Sequence, residues 1–575
     1  MMRGNTFQKN YLFNSCIMYI KLYILTLGQL MHICYIWVKR FKSFRNYGLN
    51  LSSDYTFNFD HTNSTLSYVD NPALPEDFFG KNISGVTALL GVNGSGKTTA
   101  LELICRCITE HYHFKENYIL VYKIGNDFYL SNNFKEKISI DFSFIPDNEN
   151  TKLREVNTIY FSNVFDQNHL DFDDKVIDIS INRKMNPRYI YKDDTSKRRG
   201  EIEKQINFLQ SGKAKEIKLD IPKRIEYKLF KNTSELIKKI ERTKFTRYAS
   251  EAYDPEIIDN LRKIFVNERK EYRVRDGIRY TSMLIRQQFI VSLIRAIPES
   301  LRVIATIIEE LKTTSNSLAI LEALSKETTI YLDEHCLSEI ISIIILQIEG
   351  WLEAFNYESE QTMRGARHSF TVDINENNLW HHTKLSHIFE MIIEIDASWH
   401  GISSGQKAYL NMFSSIWNCI EENNRNSLNK QTLICIDEGD LYLHPQWQIE
   451  FVERLTNCLP VISNGNVQVL FTTHSPLLVS DMPNQCVCVL NDNEYNRKPD
   501  LKTFGANIYD IYREAFGMGT NRTGNISNRY IQRTFDILDK KSLNKADFEF
   551  LTQAKHLIDN KLILQHINIK LKEND

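Results

Sequence analysis

The stretch Gly91-Val92-Asn93-Gly94-Ser95-Gly96-Lys97-Thr98 decides the fold of this chain. It matches the pattern in which a glycine-rich turn directs backbone N–H groups at phosphate oxygens and a lysine reaches the β- and γ-phosphates of a nucleotide. The apolar run 86–90 precedes it, and residues 98–104 begin an amphipathic helical pattern. This strand, loop and helix order predicts an α/β nucleotide-binding fold. The predicted phosphate-binding residues are Gly91, Asn93, Gly94, Ser95, Gly96, Lys97, Thr98 and Thr99.

The segment Leu433-Ile434-Cys435-Ile436-Asp437-Glu438 has the pattern of an apolar strand that ends in two carboxylates. A Mg²⁺ ion on ATP needs oxygen ligands, and Thr98 and Asp437 can supply them directly or through water. Glu438 comes next and is placed to orient or deprotonate an attacking water. An acidic pair at a strand end is also common in proteins that bind nothing. The segment predicts metal ligands only because a phosphate-binding loop precedes it in the same chain.

Two further segments flank the acidic strand in the sequence, one before it and one after it. Residues 467–471, Val-Gln-Val-Leu-Phe, predict another apolar strand, and Thr472-Thr473-His474 follows it. Residues 402–406, Ile-Ser-Ser-Gly-Gln, lie before the acidic strand. A lone histidine at a strand end is more often structural than catalytic, and Ser-Ser-Gly-Gln occurs in many loops. After an acidic strand in a chain with a phosphate-binding loop, a catalytic role for His474 becomes the better prediction.

In the order phosphate loop, residues 402–406, acidic strand and histidine, the chain resembles ABC-type ATPases. The resemblance implies that residues 402–406 are the signature motif, that Asp437 and Glu438 are the Walker B pair, and that His474 is the switch histidine. It also implies two heads that meet head to tail, with ATP and Mg²⁺ held between Walker A of one chain and the signature of the other. The implied catalytic residues are Glu438 and His474. The implied contacts across the interface are Ser403, Ser404, Gly405 and Gln406.

Further stretches of sequence narrow the resemblance to a smaller group of soluble ATPases. Residues 437–445, Asp-Glu-Gly-Asp-Leu-Tyr-Leu-His-Pro, are similar to a segment of soluble ATPases that include the OLD-type proteins. Residues 159–163 and 503–510 resemble elements of ATPases from bacterial anti-phage systems, especially Septu-type and retron-associated ones. Ser404, Gly439 and His444 depart from the general pattern, and the last two agree with the soluble subfamily. The family's Q-loop glutamine is not placed by pattern, since Gln167 is a candidate but Asn163 ends the better-predicted strand.

The spacing of the motifs predicts the organisation of the chain. About 300 residues separate Thr98 from Ser403, far more than one compact lobe needs. We therefore predict an α/β ABC-type P-loop ATPase head that is split into two lobes by a large helical insertion. Apolar residues at helical spacing in 257–265, 301–324 and 337–355 support helices there. The predicted domains are an N-terminal extension at 1–30, lobe I with Walker A at 31–180, a mainly helical insertion at 181–390, lobe II at 391–530 and C-terminal helices at 531–575.

Composition limits the class of protein. The chain has 575 residues, of which 42% are hydrophobic, and a formal net charge of −2, which argues against a globally basic nucleic-acid coat. Its ten cysteines include no Cys-x-x-Cys pair, so neither a zinc hook nor a disulfide framework is predicted. Residues 16–37 are nearly long and apolar enough to span a bilayer. We favour a strand at 32–38 with Met31 as the expected start and a cytoplasmic protein, and a membrane anchor is the alternative.

Two basic clusters in the middle of the chain suggest contact with nucleic acid. Such side chains can neutralise phosphates while interleaved tyrosines stack on bases, although a solvated helix face is the simpler interpretation. The first cluster is Arg183, Lys184, Arg188, Lys192, Lys197, Arg198 and Arg199. The second cluster is Arg262, Lys263, Arg269, Lys270, Arg273, Arg275, Arg279 and Arg286.

The functional expectation is an ATPase that dimerises around ATP and controls a separate effector in bacterial anti-phage defence. A nuclease, for example of the HNH type, is the expected effector because no nuclease motif is visible in this sequence. One alternative is an SMC-like ATPase of DNA repair or chromosome maintenance, for which a long coiled coil would be expected. The other is the ATPase subunit of a membrane transporter, which the large insertion and the Leu-His-Pro segment disfavour.

Overall fold

The structure, a computed structural model, describes most of the chain from residue 31 to residue 573. Within that span it leaves out residues 110–115, 136, 150, 174, 186–200, 233–236, 238–254, 273–275, 297–299, 312–315, 327–330, 333–334, 360–365, 392–395, 425–430, 464, 491–499 and 519–522.

Strands are found along most of the described chain. In chain order they are β1 (Met31–Phe41), β2 (Phe44–Asn50), β3 (Tyr55–Asp60), β4 (Thr65–Asp70), β5 (Ile83–Leu90), β6 (Tyr118–Ile124), β7 (Asp127–Asn132), β8 (Ser139–Ile140), β9 (Ile145–Pro146), β10 (Asn157–Ser162), β11 (Val176–Asp178), β12 (Arg224–Phe230), β13 (Tyr331–Leu332), β14 (His335–Cys336), β15 (Glu358–Ser359), β16 (Arg367–Asp373), β17 (Asp396–His400), β18 (Gln431–Asp437), β19 (Asn466–Thr472) and β20 (Val487–Val489).

Helices dominate the second half. In chain order they are α1 (Lys97–Thr109), α2 (Ile181–Met185), α3 (Glu201–Gln210), α4 (Lys213–Glu216), α5 (Pro255–Glu271), α6 (Ile278–Ala296), α7 (Ser300–Leu311), α8 (Ser317–Lys326), α9 (Leu337–Ser342), α10 (Ile348–Ala354), α11 (Leu379–Met391), α12 (Ser404–Asn424), α13 (Pro445–Ile449), α14 (Phe451–Ser463), α15 (Pro476–Val479), α16 (Ile508–Ala515), α17 (Asn525–Leu538), α18 (Lys545–Leu557) and α19 (Lys561–Glu573). A π-helical turn, Ile343–Gln347, joins α9 to α10.

A six-stranded parallel sheet carries the three predicted motif strands. Its spatial order is β11-β10-β18-β19-β5-β20. The strand of the phosphate-binding loop, β5, and the acidic strand, β18, are therefore separated by β19, the strand that precedes the histidine. Because all six strands run parallel, their carboxyl ends and the loops that follow meet at one edge of the sheet.

Both faces of this sheet are covered, as expected for a parallel sheet. Alternate residues of β18 enter different cores. Ile434 and Ile436 pack in a core that includes residues of α12 and α14. Leu433 and Cys435 pack in a second core with α1 and with residues of β1 and β6. The apolar run predicted from sequence is thus a strand buried on both sides.

The middle of the chain packs against the parallel sheet and is not helical throughout. The core on the α12 side continues without a break through Tyr227, Phe265, Phe289 and Ile320 of this region. A four-stranded antiparallel sheet, ordered β15-β16-β12-β17, lies within it. Buried and partly exposed residues alternate strictly along β12 and β16, and this period of two is the strand pattern that the helical prediction did not consider.

Smaller elements complete the described fold. A five-stranded sheet, β2-β1-β6-β7-β9, packs over α1, and a three-stranded sheet, β3-β4-β8, lies beside it. The strands β13 and β14 form a short hairpin. The three C-terminal helices α17, α18 and α19 enclose a hydrophobic cluster of their own around Ile537, Leu551 and Ile567.

The predicted α/β class is confirmed, while the division into domains stays a prediction. Two boundaries differ from the elements observed. Strand β17, placed by prediction in lobe II, pairs with β12 of the middle region, and the C-terminal helices begin at Asn525.

The N-terminal part of the apolar run 16–37 lies outside the described residues, and its last part belongs to β1, as predicted. Among the residues described, no helix is both long and apolar enough to cross a membrane.

Candidate nucleotide-binding site

The glycine-rich loop joins β5 to α1 at the carboxyl edge of the parallel sheet. A side chain at Gly91, where φ is +155°, would place its Cβ 2.3 Å from Ser95 Oγ. A Cβ at Gly96, where φ is +92°, would lie 3.1 Å from the ring of Phe44. The curl of the loop therefore requires these glycines. Lys97 Nζ lies inside the curl and donates to the carbonyl oxygen of Gly91 at 3.1 Å.

The loop fits the phosphate groups of a nucleotide. Ser95 Oγ is buried and has no hydrogen-bond partner within the described structure, and a buried hydroxyl without a partner suggests a missing acceptor. Lys97 is also buried, and burial lowers its pKa while Glu438 and Asp437 oppose that shift. Asn93 and Gly94 are exposed at the tip of the loop, and Thr99 is half-buried on α1. The loop thus offers a cation and an orphaned hydroxyl beside a helix N-terminus, which is a suitable place for an anion.

Asp437 is held by donors from three elements. Thr98 Oγ1 donates to Asp437 Oδ2 at 2.8 Å from the first turn of α1. Tyr160 OH, from β10, donates to the same oxygen at 3.0 Å. Thr472 Oγ1, from β19, donates to Asp437 Oδ1 at 2.7 Å. Thr98 and Asp437, the two predicted metal ligands, are therefore adjacent, and both line a cavity of about 80 Å³. Their hydroxyl and carboxylate oxygens suit Mg²⁺.

Glu438 and His474 face each other next to this pair. Glu438 has φ +49° and its N–H donates to Thr472 Oγ1 at 2.8 Å. A non-glycine residue in this conformation is strained, and such strain clusters at functional sites. Its carboxylate Oε1 lies 3.7 Å from His474 Nε2. Burial, together with the charge of Asp437, raises the pKa of Glu438. Burial, with a further contribution from Lys97, lowers the pKa of His474.

Asp440 is a buried carboxyl beside these residues, and it makes stability depend on pH. Thr473 Oγ1 donates to Asp440 Oδ2 at 2.9 Å, yet burial raises the pKa of Asp440 to about 6. Because the pKa of an aspartate in the unfolded chain is about 3.9, the folded state binds more protons between about pH 4 and pH 6. The contribution of Asp440 to stability is therefore lost as pH rises through that window.

The variant Asp440→Asn does not titrate, so its free energy of unfolding relative to that of wild type should rise by up to about 3 kcal/mol from about pH 4 to pH 7. Urea unfolding of both proteins at both pH values measures this difference. The prediction is contradicted if the free energy of unfolding changes by the same amount with pH in the two proteins.

The predicted signature residues lie at the start of α12 and contact a different set of groups. Ser403 and Gln406 form a reciprocal cap. The Ser403 N–H donates to Gln406 Oε1 at 2.8 Å, and the Gln406 N–H donates to Ser403 Oγ at 3.2 Å. Gln406 Nε2 also donates to Asp220 Oδ2 at 2.9 Å. A Cβ at Gly405 would lie 3.2 Å from the ring of Trp447, so a side chain there would require α12 or Trp447 to shift by a few tenths of an ångström. Ser403 and Ser404 remain exposed.

The structure brings together Lys97, Thr98, Asp437, Glu438 and His474 at one edge of the sheet. No hydrogen bond among the described residues joins them to residues 403–406, which lie at the separate start of α12.

Sequence reasoning missed three polar residues that hold these groups, namely Tyr160, Thr472 and Asp220. The first two could have been suspected because each places a hydroxyl within or directly after a short run of large apolar residues. Nothing in the sequence around Asp220 pointed to Gln406.

Comparison with known protein families agrees with this geometry. A model of the AAA ATPase domain matches residues 31–479. The chain belongs to this family. The match includes the loop at 91–98, the acidic strand and His474, so the residues assembled in the structure all lie inside the ATPase domain.

Several known relatives of this ATPase come from retrons and Septu systems. The "Retron Vc95 probable ATPase" of Vibrio cholerae is 27% identical over 164 residues, covering 27% of this chain and 30% of that protein. The "Septu protein PtuA" of Bacillus mycoides is 28% identical over 178 residues, covering 30% and 23%. The "Retron Ec83 probable ATPase" of Escherichia coli is 30% identical over 101 residues, covering 17% and 18%. The aligned segments thus span less than a third of these relatives. The predicted resemblance to anti-phage ATPases is confirmed.

Several basic residues of the ATPase are engaged within the chain. Arg286 of the second cluster is buried, with Nη1 3.5 Å from Glu349. Arg262 and Lys263 both pair with Asp259. These contacts favour a structural role for this part of the second cluster. Most of the first cluster lies outside the described residues, and nucleic-acid contact through the middle region stays a prediction.

Proposed function

We propose that this protein binds ATP with Mg²⁺ and hydrolyses it to ADP and phosphate. The observation that carries the proposal is the Thr98–Asp437 hydrogen bond of 2.8 Å beside the buried Lys97. It supports the proposal because a cation that can hold phosphates and two oxygens that can bind a divalent metal lie at one helix N-terminus. When bound, Mg²⁺ neutralises charge on the β- and γ-phosphates.

The residues at this edge then have distinct roles. Lys97 and the loop N–H groups hold the phosphates, and Thr98 and Asp437 hold the metal. Glu438 accepts a proton from the attacking water, and its raised pKa makes it a better base than an exposed glutamate. His474, kept neutral by burial and by Lys97, contacts the region of the γ-phosphate through Nε2. Turnover is expected to be slow because one copy alone holds an incomplete site, which the signature residues of a second copy would complete.

We propose further that two copies meet at this edge. Large apolar side chains in the loops around the site and at the end of α13 are 45–65% exposed, and burying them against a second copy would favour association. They are Val92, Phe165, Tyr442, Ile449 and Met518. Ser403 and Ser404 are exposed at the start of α12 and free to approach the nucleotide of a partner. ATP then acts as part of the interface, and its cleavage loosens the dimer.

The biological role proposed is anti-phage defence in the bacterial cytoplasm, supported by the relatives found in Septu and retron systems. The ATPase controls a separate effector through its nucleotide-dependent assembly. A nuclease, for example of the HNH type, is the proposed effector because this sequence carries no nuclease motif of its own.

The dimer is tested by measuring mass in solution. Glu438→Gln protein, which retains ATP under this proposal, should double in mass when ATP and Mg²⁺ are added. Adding Ser404→Arg should abolish the doubling by blocking the approach of α12 to the partner's phosphates. Ser527→Arg, in the exposed first turn of α17, is the matched control and should leave the doubling intact. Mass that stays constant with ATP in the parent variant would contradict dimerisation.

The effector is tested by purifying the tagged chain from cells that express it with its neighbouring genes. A nuclease that copurifies in amounts that differ between wild type and Glu438→Gln supports the proposal. A chain that purifies alone in both forms contradicts it without affecting the proposed ATPase activity.

A further inference from the structure

Tyr160 is a buried tyrosine whose hydroxyl reaches the metal-binding edge of the parallel sheet. In the pairing of β10 with β18 it lies beside Cys435, and Ser162 lies beside Asp437. Because alternate residues of a strand share a face, Tyr160, Cys435 and Asp437 all project toward α1. On this shared face the hydroxyl of Tyr160 reaches the carboxylate of Asp437 and lies 3.0 Å from its Oδ2.

Each neighbouring strand of β18 contributes one hydroxyl to Asp437. Thr472, on one side, donates to Oδ1 and also accepts the N–H of Glu438. Tyr160, on the other side, donates to Oδ2, the oxygen that Thr98 also contacts. Asp437 is the only hydrogen-bond partner of the Tyr160 hydroxyl among the described residues. The two strands thus fix both carboxylate oxygens before any ligand arrives.

The environment of Tyr160 keeps its hydroxyl a donor in a fixed place. The side chain is 3% exposed and its ring lies 5.3 Å from that of Phe172. Burial, reinforced by the charge of Asp437, raises the pKa of Tyr160 well above its ordinary value. The phenol therefore stays protonated, and packing prevents it from turning elsewhere.

We infer that Tyr160 is a positioning residue that orients Asp437 for Mg²⁺. The inference rests on the proposed function, since it concerns the metal that accompanies ATP. Mg²⁺ demands nearly ideal octahedral geometry, so a carboxylate free to rotate about its Cβ–Cγ bond is a poorer ligand. Loss of a group that orients a metal ligand typically costs 10- to 100-fold in metal affinity. Tyr160 performs this task through its hydrogen bond to Asp437.

The test is the Mg²⁺ dependence of nucleotide binding by Tyr160→Phe, which removes one oxygen and keeps the ring. A fluorescent ATP analogue is titrated into the full chain in EDTA and then at increasing Mg²⁺. We expect binding in EDTA to match wild type, and the Mg²⁺ concentration for half-maximal enhancement to rise about 10- to 100-fold. Binding in EDTA also reports that the variant is folded. A Mg²⁺ midpoint equal to that of wild type would overturn the inference.

Tyr122 provides a matched control. Its hydroxyl also donates to a buried carboxylate, that of Asp147, but it lies in β6 of the five-stranded sheet, and no hydrogen bond among the described residues joins it to the loop. Tyr122→Phe loses the same kind of bond and should keep the wild-type Mg²⁺ midpoint. An equal shift in both variants would show a general effect of lost buried bonds and would overturn the positioning role.

A second variant tests whether Tyr160 acts through Asp437. In an Asp437→Asn background, Tyr160→Phe should cause no further change in the Mg²⁺ midpoint, because the orienting bond no longer serves a carboxylate ligand. An additional tenfold shift would overturn the inference. Failure of wild type to bind the analogue at all would instead overturn the proposed function, and the role of Tyr160 with it.

Discussion

Replacing Glu438 by glutamine is expected to lower kcat for ATP hydrolysis about 100- to 10,000-fold, the range typical of losing a general base. The change keeps the size and hydrogen-bonding shape of the side chain but removes its ability to accept a proton. Because no hydrogen bond among the described residues joins Glu438 to Lys97 or to the loop, ATP affinity should stay within about threefold of wild type. Phosphate release and equilibrium binding of ATP, measured on the same preparations, separate the two effects.

The control for this prediction is Glu453→Gln. Glu453 is an exposed glutamate in the first turn of α14, between Glu438 and His474 in the chain, and its substitution should leave kcat unchanged. A Glu438→Gln protein that hydrolyses ATP at the wild-type rate would show that another group activates water. The neighbouring histidine, 3.7 Å away, would then be the first candidate. Loss of ATP binding together with hydrolysis would instead indicate that Glu438 holds the site together.

The pH dependence of hydrolysis gives an independent check on the same residue. Burial and the charge of Asp437 raise the pKa of Glu438, so the carboxylate that acts as base forms only at higher pH than an exposed glutamate would need. We expect kcat of wild type to fall as pH drops through this raised pKa. The residual rate of Glu438→Gln should lack that limb, because glutamine does not titrate.

Local motifs predicted the part of the site that depends on a few consecutive residues. The loop at 91–98, its strand and its helix follow from glycine placement and apolar pattern alone. The same holds for Asp437 and His474, which each follow an apolar strand. That these strands lie in one parallel sheet, with β19 between β5 and β18, follows from long-range pairing. The sequence does not encode this order in any single segment.

The residues that support the site depend on register and therefore escaped prediction. Tyr160 reaches Asp437 only because Ser162, two residues later, pairs with Asp437 across the strands. Gln406 meets Asp220 across 186 positions of sequence. Apolar and polar residues alternate along β12, as expected of a strand. Apolar residues at helical spacing in the segments that follow nevertheless favoured a helical insertion. Contacts between distant segments decide these features.

Replacing Lys97 by methionine is expected to remove ATP binding without weakening the fold. Lys97 Nζ is buried and donates to two carbonyl oxygens of its own loop, those of Gly91 at 3.1 Å and Val92 at 3.4 Å. Burial lowers its pKa because the charged form is poorly solvated there. Methionine has similar length and removes that desolvated charge, so the free energy of unfolding without nucleotide should be unchanged or slightly higher.

The same substitution should weaken ATP binding, although it leaves the fold without nucleotide as stable as before. Removing a buried charge that pairs with phosphate typically costs 2–5 kcal/mol, or roughly a 30- to 5000-fold loss of affinity. Thermal unfolding with and without ATP and Mg²⁺ measures both quantities, because a ligand that binds only the folded state raises Tm. Lys123→Met is the control, since Lys123 of β6 donates to Tyr55 OH of β3, and no hydrogen bond among the described residues joins it to the loop. It should keep the ATP-dependent rise in Tm that Lys97→Met loses. A Lys97→Met protein that retains this rise would place the nucleotide somewhere other than the loop at 91–98. One that unfolds far below wild type would show that the lysine serves the fold rather than the phosphates.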